Sequence, residues 1–230
     1  MPKKQAAKPQ RQSVEFLFLA SHGLLSPISA IRWGCNRLTR SDARNLSDEQ
    51  RDLVSHIHRN ARTLTRLFGS MLLLARNEDQ TYTMRPEKLE LADLLAAEKK
   101  EWELHEHGTV HLHCPPGLKA HVDSAILESV LQNLFAVFAE GTDESRKLSI
   151  DAEEEADNVR ISFTGSLELP FLQSVRTLDR SAETRPVVGG TPGLLLSLAQ
   201  SLLAFIEGEI AMSETTEGSY TITTRLPKAS

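Results

Sequence analysis

The histidine at position 22 is the residue whose type and setting most clearly suggest chemistry. It lies within residues 16–32 and is followed five positions later by Pro27. An apolar residue recurs every seven positions around it, at Leu17, Leu24, Ile31 and Leu38. At about 100° per residue, His22 points away from this apolar seam. A reactive imidazole on the outside of a helical bundle suits phosphoryl transfer between proteins, although a lone histidine on a helix face is more often only solvated.

Two long helices are predicted to present this histidine. The apolar repeat predicts the first helix over residues 13–40. After a polar break, Ser47 and Gln50 have capping-box spacing, which predicts a second helix ending near Asn77. A short connection between two long helices indicates an antiparallel hairpin. Because one hairpin has too little core, we expect two chains to form a four-helix bundle as a homodimer.

A proline interrupts the first predicted helix just after the histidine. Pro27 cannot donate a hydrogen bond to the carbonyl of Gly23, so its ring is expected to bend the helix there. Gly23 loosens the same turn because glycine is a poor helix former. The alternative interpretation is a tolerated kink without a role.

Composition excludes several classes of function. The chain has 230 residues, 40% hydrophobic and 25% charged, which is enough for a packed core in one or two domains. The net charge of −5 argues against nucleic-acid binding, and only residues 1–12 are locally basic, as in a flexible lead-in. Cys35 and Cys114 predict reduced thiols in a cytoplasmic protein. A run of about 20 apolar residues is absent, so no membrane segment is expected.

Residues 82–228 predict a second domain of different character. Strands are predicted at residues 82–84, 109–114, 119–123, 148–152, 159–163, 209–213 and 220–226, and helices at residues 89–102, 123–139 and 194–206. Helices covering one face of a mixed sheet make an α/β sandwich, so the whole chain is predicted to be of α+β class.

Histidines cluster in the second domain, at His105, His107, His111, His113 and His121, together with Cys114. Imidazole and thiolate are zinc ligands. His111 and His113 share one face of a strand, and His121 is expected on the adjacent strand. However, the spacing matches no familiar zinc motif, and an exposed strand shows the same alternation. We therefore predict no metal site.

Residues 21–32 read SHGLLSPISAIR and resemble the phosphoacceptor box of two-component sensor histidine kinases, which typically reads SHELRTPLTAIR. The resemblance implies that residues 13–78 are the dimerisation and histidine-phosphotransfer domain. It also implies that His22 carries the phosphoryl group, with Ser26 and Pro27 in support. The family usually has a carboxylate directly after the histidine as general base, where this chain has Gly23. This departure speaks against autophosphorylation from ATP but not against exchange with an aspartate on a partner.

The order of elements after residue 82 resembles the ATP-binding catalytic domain of the same kinases. Residues 123–134 resemble the start of the family's asparagine box. If the nucleotide site is functional, the resemblance implies that ATP and Mg²⁺ contact four residues, namely Asn133, Gly189, Gly190 and Gly193. The last three also fit an ordinary helix start, with Thr191 as cap and Pro192 in the first turn.

Several nucleotide-binding positions of the family are replaced. Val137 stands where a second asparagine holds Mg²⁺, and valine has no oxygen ligand to offer. Counting back from the next proline, Thr164 takes the place of the adenine-binding aspartate, with Ser166 and Glu168 at two glycine positions. Leu195 replaces a further glycine. These changes predict a domain that keeps the fold but binds ATP weakly or not at all.

The leading hypothesis is a phosphorelay protein of this family. His22 would accept a phosphoryl group from the aspartate of a response-regulator receiver domain and pass it to another receiver, with the second domain as a docking surface. One alternative is an active ATP-dependent histidine kinase with an atypical nucleotide site. The other is a non-catalytic dimeric scaffold that binds receivers.

Overall fold

The chain folds into two units in the computed structural model, Met1–Thr83 and Met84–Ser230. The structure describes residues 8–41, 46–106, 108–141, 147–167, 190–216 and 219–229. Side chains are described for these residues except at positions 8–22, 40–41, 106, 140–141 and 216. Within the described part of the chain, no helix is both long and apolar enough to cross a bilayer.

The first unit is a helical hairpin of α1 (Lys8–Ser41) and α2 (Asp48–Glu78). The capping box predicted at the start of α2 is confirmed. The Ser47 hydroxyl accepts a hydrogen bond from the Gln50 amide at 3.2 Å, and the Gln50 side chain accepts one from the Ser47 amide at 2.9 Å. These two bonds satisfy backbone donors that a helix start otherwise leaves unpaired. Helix α1 is continuous through Pro27.

The hairpin buries one stripe of each helix and leaves a second apolar stripe open. Ile28 and Cys35 of α1 and Ala61 of α2 are buried. Six larger apolar side chains are between 39% and 57% exposed, namely Leu24, Ile31, Leu38, Leu53, Ile57 and Leu64. The three on α1 recur every seven residues, as in a helix-packing seam, and the three on α2 are spaced by four and seven. We call all six the open seam.

The second unit contains seven strands and three helices in its described part. The strands are β1 (Pro86–Glu90), β2 (Thr109–His113), β3 (Lys119–Asp123), β4 (Lys147–Glu155), β5 (Asn158–Ser166), β6 (Glu209–Thr216) and β7 (Ser219–Pro227), and the helices are α3 (Leu91–Glu106), α4 (Ser124–Gly141) and α5 (Gly190–Phe205). Five strands form a mixed sheet in the order β2-β4-β5-β7-β6, in which β2 and β4 pair in parallel and the other neighbours are antiparallel. Strands β1 and β3 form a separate antiparallel pair.

The core lies between one face of the five-stranded sheet and the helices. Alternate residues of β5, Val159, Ile161 and Phe163, are fully buried, as the two-residue period of a strand dictates. Phe163 meets Phe135 of α4 edge to face, with ring centroids 5.6 Å apart. The indole of Trp102 on α3 donates to the carbonyl of Phe135 at 2.9 Å. The predicted α+β class, with helices on one face of a mixed sheet, is confirmed.

The strand predicted at residues 82–84 was wrong. Residues 81–85 have no regular structure, and β1 begins at Pro86 instead. The start of β1 is fixed by its pairing with β3. The Arg85 amide donates a hydrogen bond to the buried carboxylate of Asp123 at 2.8 Å, and the next residue, Pro86, pairs with Asp123. A short alternating sequence cannot reveal which residues a distant strand will pair with.

Candidate functional site

The region around His22 is helical and open to solvent. The backbone at His22 belongs to α1, and the imidazole lies outside the described side chains. Gly23, Ser26 and Pro27 are all exposed. A Cβ added at Gly23 would meet no atom within 4 Å. Packing therefore does not require glycine at position 23, and a side chain with a carboxylate would have room there.

On α4, Asn133 and Val137 are one helical turn apart and both 0% exposed. The Val137 side chain is part of the apolar core beside Phe138, which is also 0% exposed. Valine offers no oxygen to a cation, and Mg²⁺ requires oxygen ligands. Position 137, where the resemblance expects a second asparagine, is thus used for core packing.

Thr164 lies on the other side of the sheet from α4. Its hydroxyl is 2.8 Å from that of Thr221 on β7, and both side chains are half-buried. Thr164 therefore does not face α4, the helix that carries Asn133. A shift of one residue along a strand moves a side chain to the opposite face.

The residue of β5 that shares the helix-facing side with Phe163 is Gly165. An ideal Cβ at Gly165 would lie 2.9 Å from Cδ1 of Phe138 and 3.1 Å from the carbonyl oxygen of Lys147. Real Cβ atoms do not come within 3.0 Å of another heavy atom without a shift of the structure. The phenylalanine ring therefore occupies the space that a side chain at position 165 would need.

Sequence reasoning missed the pair of Gly165 and Phe138, although a signal for it was present. Val159, Ile161 and Phe163 alternate toward the core, and continuing that alternation leads to position 165 rather than 164. The position on the helix side holds glycine, and neither residue supplies a carboxylate. Core side chains fill the space beside Gly165 on this face of the sheet.

The glycine-rich stretch before α5 is described only in part. Gly190 begins α5 with φ of +79°, a left-handed conformation that glycine adopts without strain. Gly193 is buried within the first turn. His107, Glu168 and Gly189 lie outside the described residues.

The histidine cluster is not gathered into one place among the described residues. His111 and His113 are exposed on β2, whereas His121 is exposed on β3, which belongs to the other sheet, so the expectation that it lies on the adjacent strand was wrong. Burial, followed by the nearby Glu90 carboxylate, raises the pKa of the Cys114 thiol, which disfavours the thiolate that a metal would bind. Across the described residues, no three His, Cys, Asp or Glu side chains lie together where they could hold a metal ion.

The first unit matches a known protein family. The family model described as the His Kinase A (phospho-acceptor) domain matches residues 13–80, the hairpin that carries His22. Sensor protein GacS of Pseudomonas syringae pv. syringae is 29% identical over 251 aligned positions, covering 100% of this chain and 27% of that protein. The hairpin belongs to the phospho-acceptor domain family of histidine kinases, and the whole chain is similar to two-component sensor histidine kinases.

Solved structures of histidine kinases share the fold. Full-length ShkA, solved in complex with AMPPNP, superposes with a TM-score of 0.59 at 17% identity and covers 94% of this chain and 46% of that one. The catalytic domain of histidine kinase ThkA gives a TM-score of 0.51 at 22% identity over 63% of this chain and 97% of that one. The chain spans about a quarter of the length of the curated relatives it matches, between 25% and 27%.

Proposed function

We propose that this chain acts in two-component signal transduction as a phosphorelay protein. His22 accepts a phosphoryl group from the aspartate of a receiver domain and transfers it to the aspartate of another receiver. ATP is not the phosphoryl donor, because the second unit keeps the catalytic fold without a working nucleotide site. The match of the phosphoacceptor family model to residues 13–80 supports the role of His22.

The observation that carries this proposal is the contact between Phe138 and Gly165. The ring leaves no space for even a methyl group at Gly165, so the end of β5 presents neither a carboxylate nor an open surface toward α4. Directly before Phe138, and one turn after Asn133, Val137 stands where the family's asparagine box has a magnesium ligand, and valine offers no oxygen. Two independent parts of ATP binding are affected: the polar contacts to the adenine base and the oxygen ligand to Mg²⁺.

Gly23 removes a third group that autophosphorylation from ATP uses, the general base next to the phosphoacceptor. Such a base commonly contributes about 100-fold or more to proton transfer. Glycine at this position is compatible with transfer of a phosphoryl group between a histidine and an aspartate. In that reaction the phosphoryl donor is an activated acyl phosphate, and the receiver supplies its own acidic residues and metal. A chain that has lost ATP chemistry but kept its phosphoacceptor box therefore fits a relay better than a kinase.

A homodimer is part of the same proposal. The open seam exposes six large apolar side chains along both helices of the hairpin. Burying them against a second copy would complete a four-helix core, with a favourable free energy of about 25 cal/mol for each Å² of apolar surface removed from water. The exposed polar face at Ser26 would remain outside that core.

Two measurements test the proposed function together. Isothermal titration with Mg-ATP should detect no binding in the micromolar range. Incubation with phosphorylated receiver domains of the source organism should place acid-labile phosphate on the wild-type chain but not on His22→Ala. Label acquired directly from ATP would instead establish an active kinase, and intact signalling by His22→Ala in cells would establish a scaffold.

A further inference from the structure

The two edges of the five-stranded sheet differ in how their backbone groups are covered. Strand β2 lies at one edge, where the amide of Val110 donates a hydrogen bond to Oε1 of Glu103 on α3 at 2.9 Å. Strand β6 lies at the other edge, and within the described part of the chain β7 is the one strand that pairs with it. The outward N–H and C=O groups of an edge strand can pair with a further strand.

The edge that β6 offers is regular over most of its length. Residues 209–213 pair in unbroken antiparallel register with β7, and a register shift appears only between Glu214 and Thr216. Proteins commonly protect an exposed edge with a lysine, a proline or a bulge. Strand β6 contains neither lysine nor proline, and its bulge comes at its end. A regular segment about 17 Å long is therefore open to a sixth strand.

Burial of the apolar side chains falls off at this edge. On the helix-facing side of the sheet, Ile222 of β7 is 0% exposed, whereas Ile210 and Met212 of β6 are only half-buried. Apolar side chains on an added strand would cover these two residues and extend the core by one strand. On the opposite side, Ala211 and Ser213 are exposed and present no large side chain that would obstruct a neighbouring strand.

The same edge is acidic. Residues 186–224, which include α5, β6 and most of β7, contain four glutamates and not one lysine or arginine. Two of these glutamates, Glu209 and Glu214, flank the four uncharged residues in the middle of β6, and both are exposed. Arg225 lies opposite Glu209 in the register, but its guanidinium contacts Glu155 at 3.0 Å. A strand that carries a positive charge at each end matches this pattern.

A second copy of β6 is a poor match for this edge. In the antiparallel register centred between Ala211 and Met212, Glu209 of one copy would lie directly opposite Glu214 of the other at both ends of the pair. In any other register two acidic edges would still meet, with no lysine or arginine in either strand. Like charges that face each other across a strand pair are destabilising.

We propose that β6 is a docking edge for an extended segment of a partner protein, which pairs with residues 209–214 as a sixth, antiparallel strand. The segment carries lysine or arginine opposite Glu209 and Glu214, and it carries apolar residues that cover Ile210 and Met212. Main-chain hydrogen bonds give such an interaction its affinity, and alternate side chains give it specificity. This docking edge goes beyond the proposed function, because it lies on the second unit and does not involve phosphoryl transfer at His22.

A designed peptide tests the docking edge directly. The labelled peptide Lys-Thr-Val-Thr-Val-Lys, paired antiparallel, places its lysines opposite Glu209 and Glu214 and its valines opposite Ile210 and Met212. It is titrated with the full chain, and binding is followed by fluorescence anisotropy. One control peptide has glutamate in place of both lysines. The other is methylated on the backbone nitrogens of its four central residues, so that they cannot donate hydrogen bonds to a neighbouring strand.

We expect the lysine peptide to bind, and each control peptide to bind about tenfold more weakly or less, because the controls lack either the complementary charge or the main-chain hydrogen bonds. The double variant Glu209→Lys, Glu214→Lys should bind the lysine peptide about fivefold more weakly or less. The matched control is Glu87→Lys with Glu128→Lys, two exposed glutamates on β1 and α4 whose replacement changes the total charge equally. It should have less than about a twofold effect.

Circular dichroism verifies that each variant is folded, and the two control peptides test the wild-type chain without any substitution. Failure of the lysine peptide to bind, equal binding of the methylated peptide, or equal effects of the two double variants would overturn the inference. Dissociation of the chain by the peptide in analytical ultracentrifugation would show that a second copy occupies this edge, and it would overturn the inference as well.

Discussion

At the scale of single residues, Phe138 and Gly165 are complementary in size. The aromatic ring approaches the glycine so closely that a Cβ would fall 2.9 Å from it. Each residue makes the other necessary, since a smaller residue at 138 would leave a cavity and a larger one at 165 would overlap the ring. This pair makes the end of β5 beside α4 part of the hydrophobic core.

The variant Gly165→Ala tests that packing. The added methyl group should lower the free energy of unfolding by about 1–3 kcal/mol, as overpacking in cores commonly does. In the background of Phe138→Leu, which removes the ring, the same substitution should lower the free energy of unfolding by a measurably smaller amount. Urea denaturation of the full chain gives both values. Gly23→Ala is the matched control, because open space surrounds Gly23, and an equal loss in the two glycine variants would contradict the packing assignment.

The variant Gly23→Glu restores the carboxylate that typical family members have after the histidine. It should fold normally, because no atom lies within 4 Å of the added Cβ, and it should gain up to about 1 kcal/mol of helix stability over glycine. Autophosphorylation with labelled ATP should nevertheless remain undetectable, because in the proposed function ATP is not the phosphoryl donor. Label that appears on Gly23→Glu and disappears on Gly23→Glu with His22→Ala would show that the second unit still delivers ATP.

At the scale of elements, Asp123 joins β1, β3 and α4. Its carboxylate accepts hydrogen bonds from the Arg85 amide at 2.8 Å and from the Ile126 amide at 3.2 Å, while the residue itself is 3% exposed. The second bond caps the first turn of α4, the helix that carries Asn133 and Phe138. The position of that helix on the sheet thus depends on one buried side chain.

Asp123→Ala should lower the free energy of unfolding by about 2 kcal/mol or more, since it removes a helix cap and leaves a buried amide without its acceptor. Asp123→Asn retains one side-chain oxygen and should lower the free energy of unfolding by a smaller amount. Thermal unfolding followed by circular dichroism compares the two. Asp157→Ala, in the exposed turn between β4 and β5, serves as control, and a loss there as large as in Asp123→Ala would contradict the anchoring role.

The open seam predicts an association of hairpins that one substitution can disrupt. Ile57→Asp places a charge in the middle of the apolar stripe and should convert a dimer into monomers in analytical ultracentrifugation, because an unpaired charge is costly to bury. Leu104→Asp changes a side chain of similar exposure, 59% against 50%, in the second unit. A dimer that survives Ile57→Asp, or dissociates equally in Leu104→Asp, would contradict the assignment of the seam.

The elements with strong local signals were predictable from sequence. The capping box of α2, the apolar repeat of α1 and the amphipathic pattern of α4 are properties of neighbouring residues, and each predicted the observed helix. Features that depend on distant partners were not predictable in the same way. The start of β1 depends on Asp123, and the face on which residue 164 lies depends on where β5 enters the sheet.

At the scale of the whole molecule, a positively charged hairpin that matches the phospho-acceptor domain is joined to a negatively charged unit with the histidine kinase catalytic fold. The sequence resemblance identified both parts and several of the replaced positions. It could not identify the contact between Phe138 and Gly165, because the two residues are 27 positions apart and meet only in the folded core. In the proposed function, that contact is the observation that separates the retained fold from ATP chemistry.

The most direct test of the central claim is a comparison of two phosphoryl donors on the same preparation of the full chain. Labelled ATP with Mg²⁺ is offered in one reaction and phosphorylated receiver domains in the other, with His22→Ala in parallel. The account predicts acid-labile label on the wild-type chain from a receiver only, and none on His22→Ala from either donor. Label on His22 from ATP, at a rate comparable with transfer from a receiver, would contradict it.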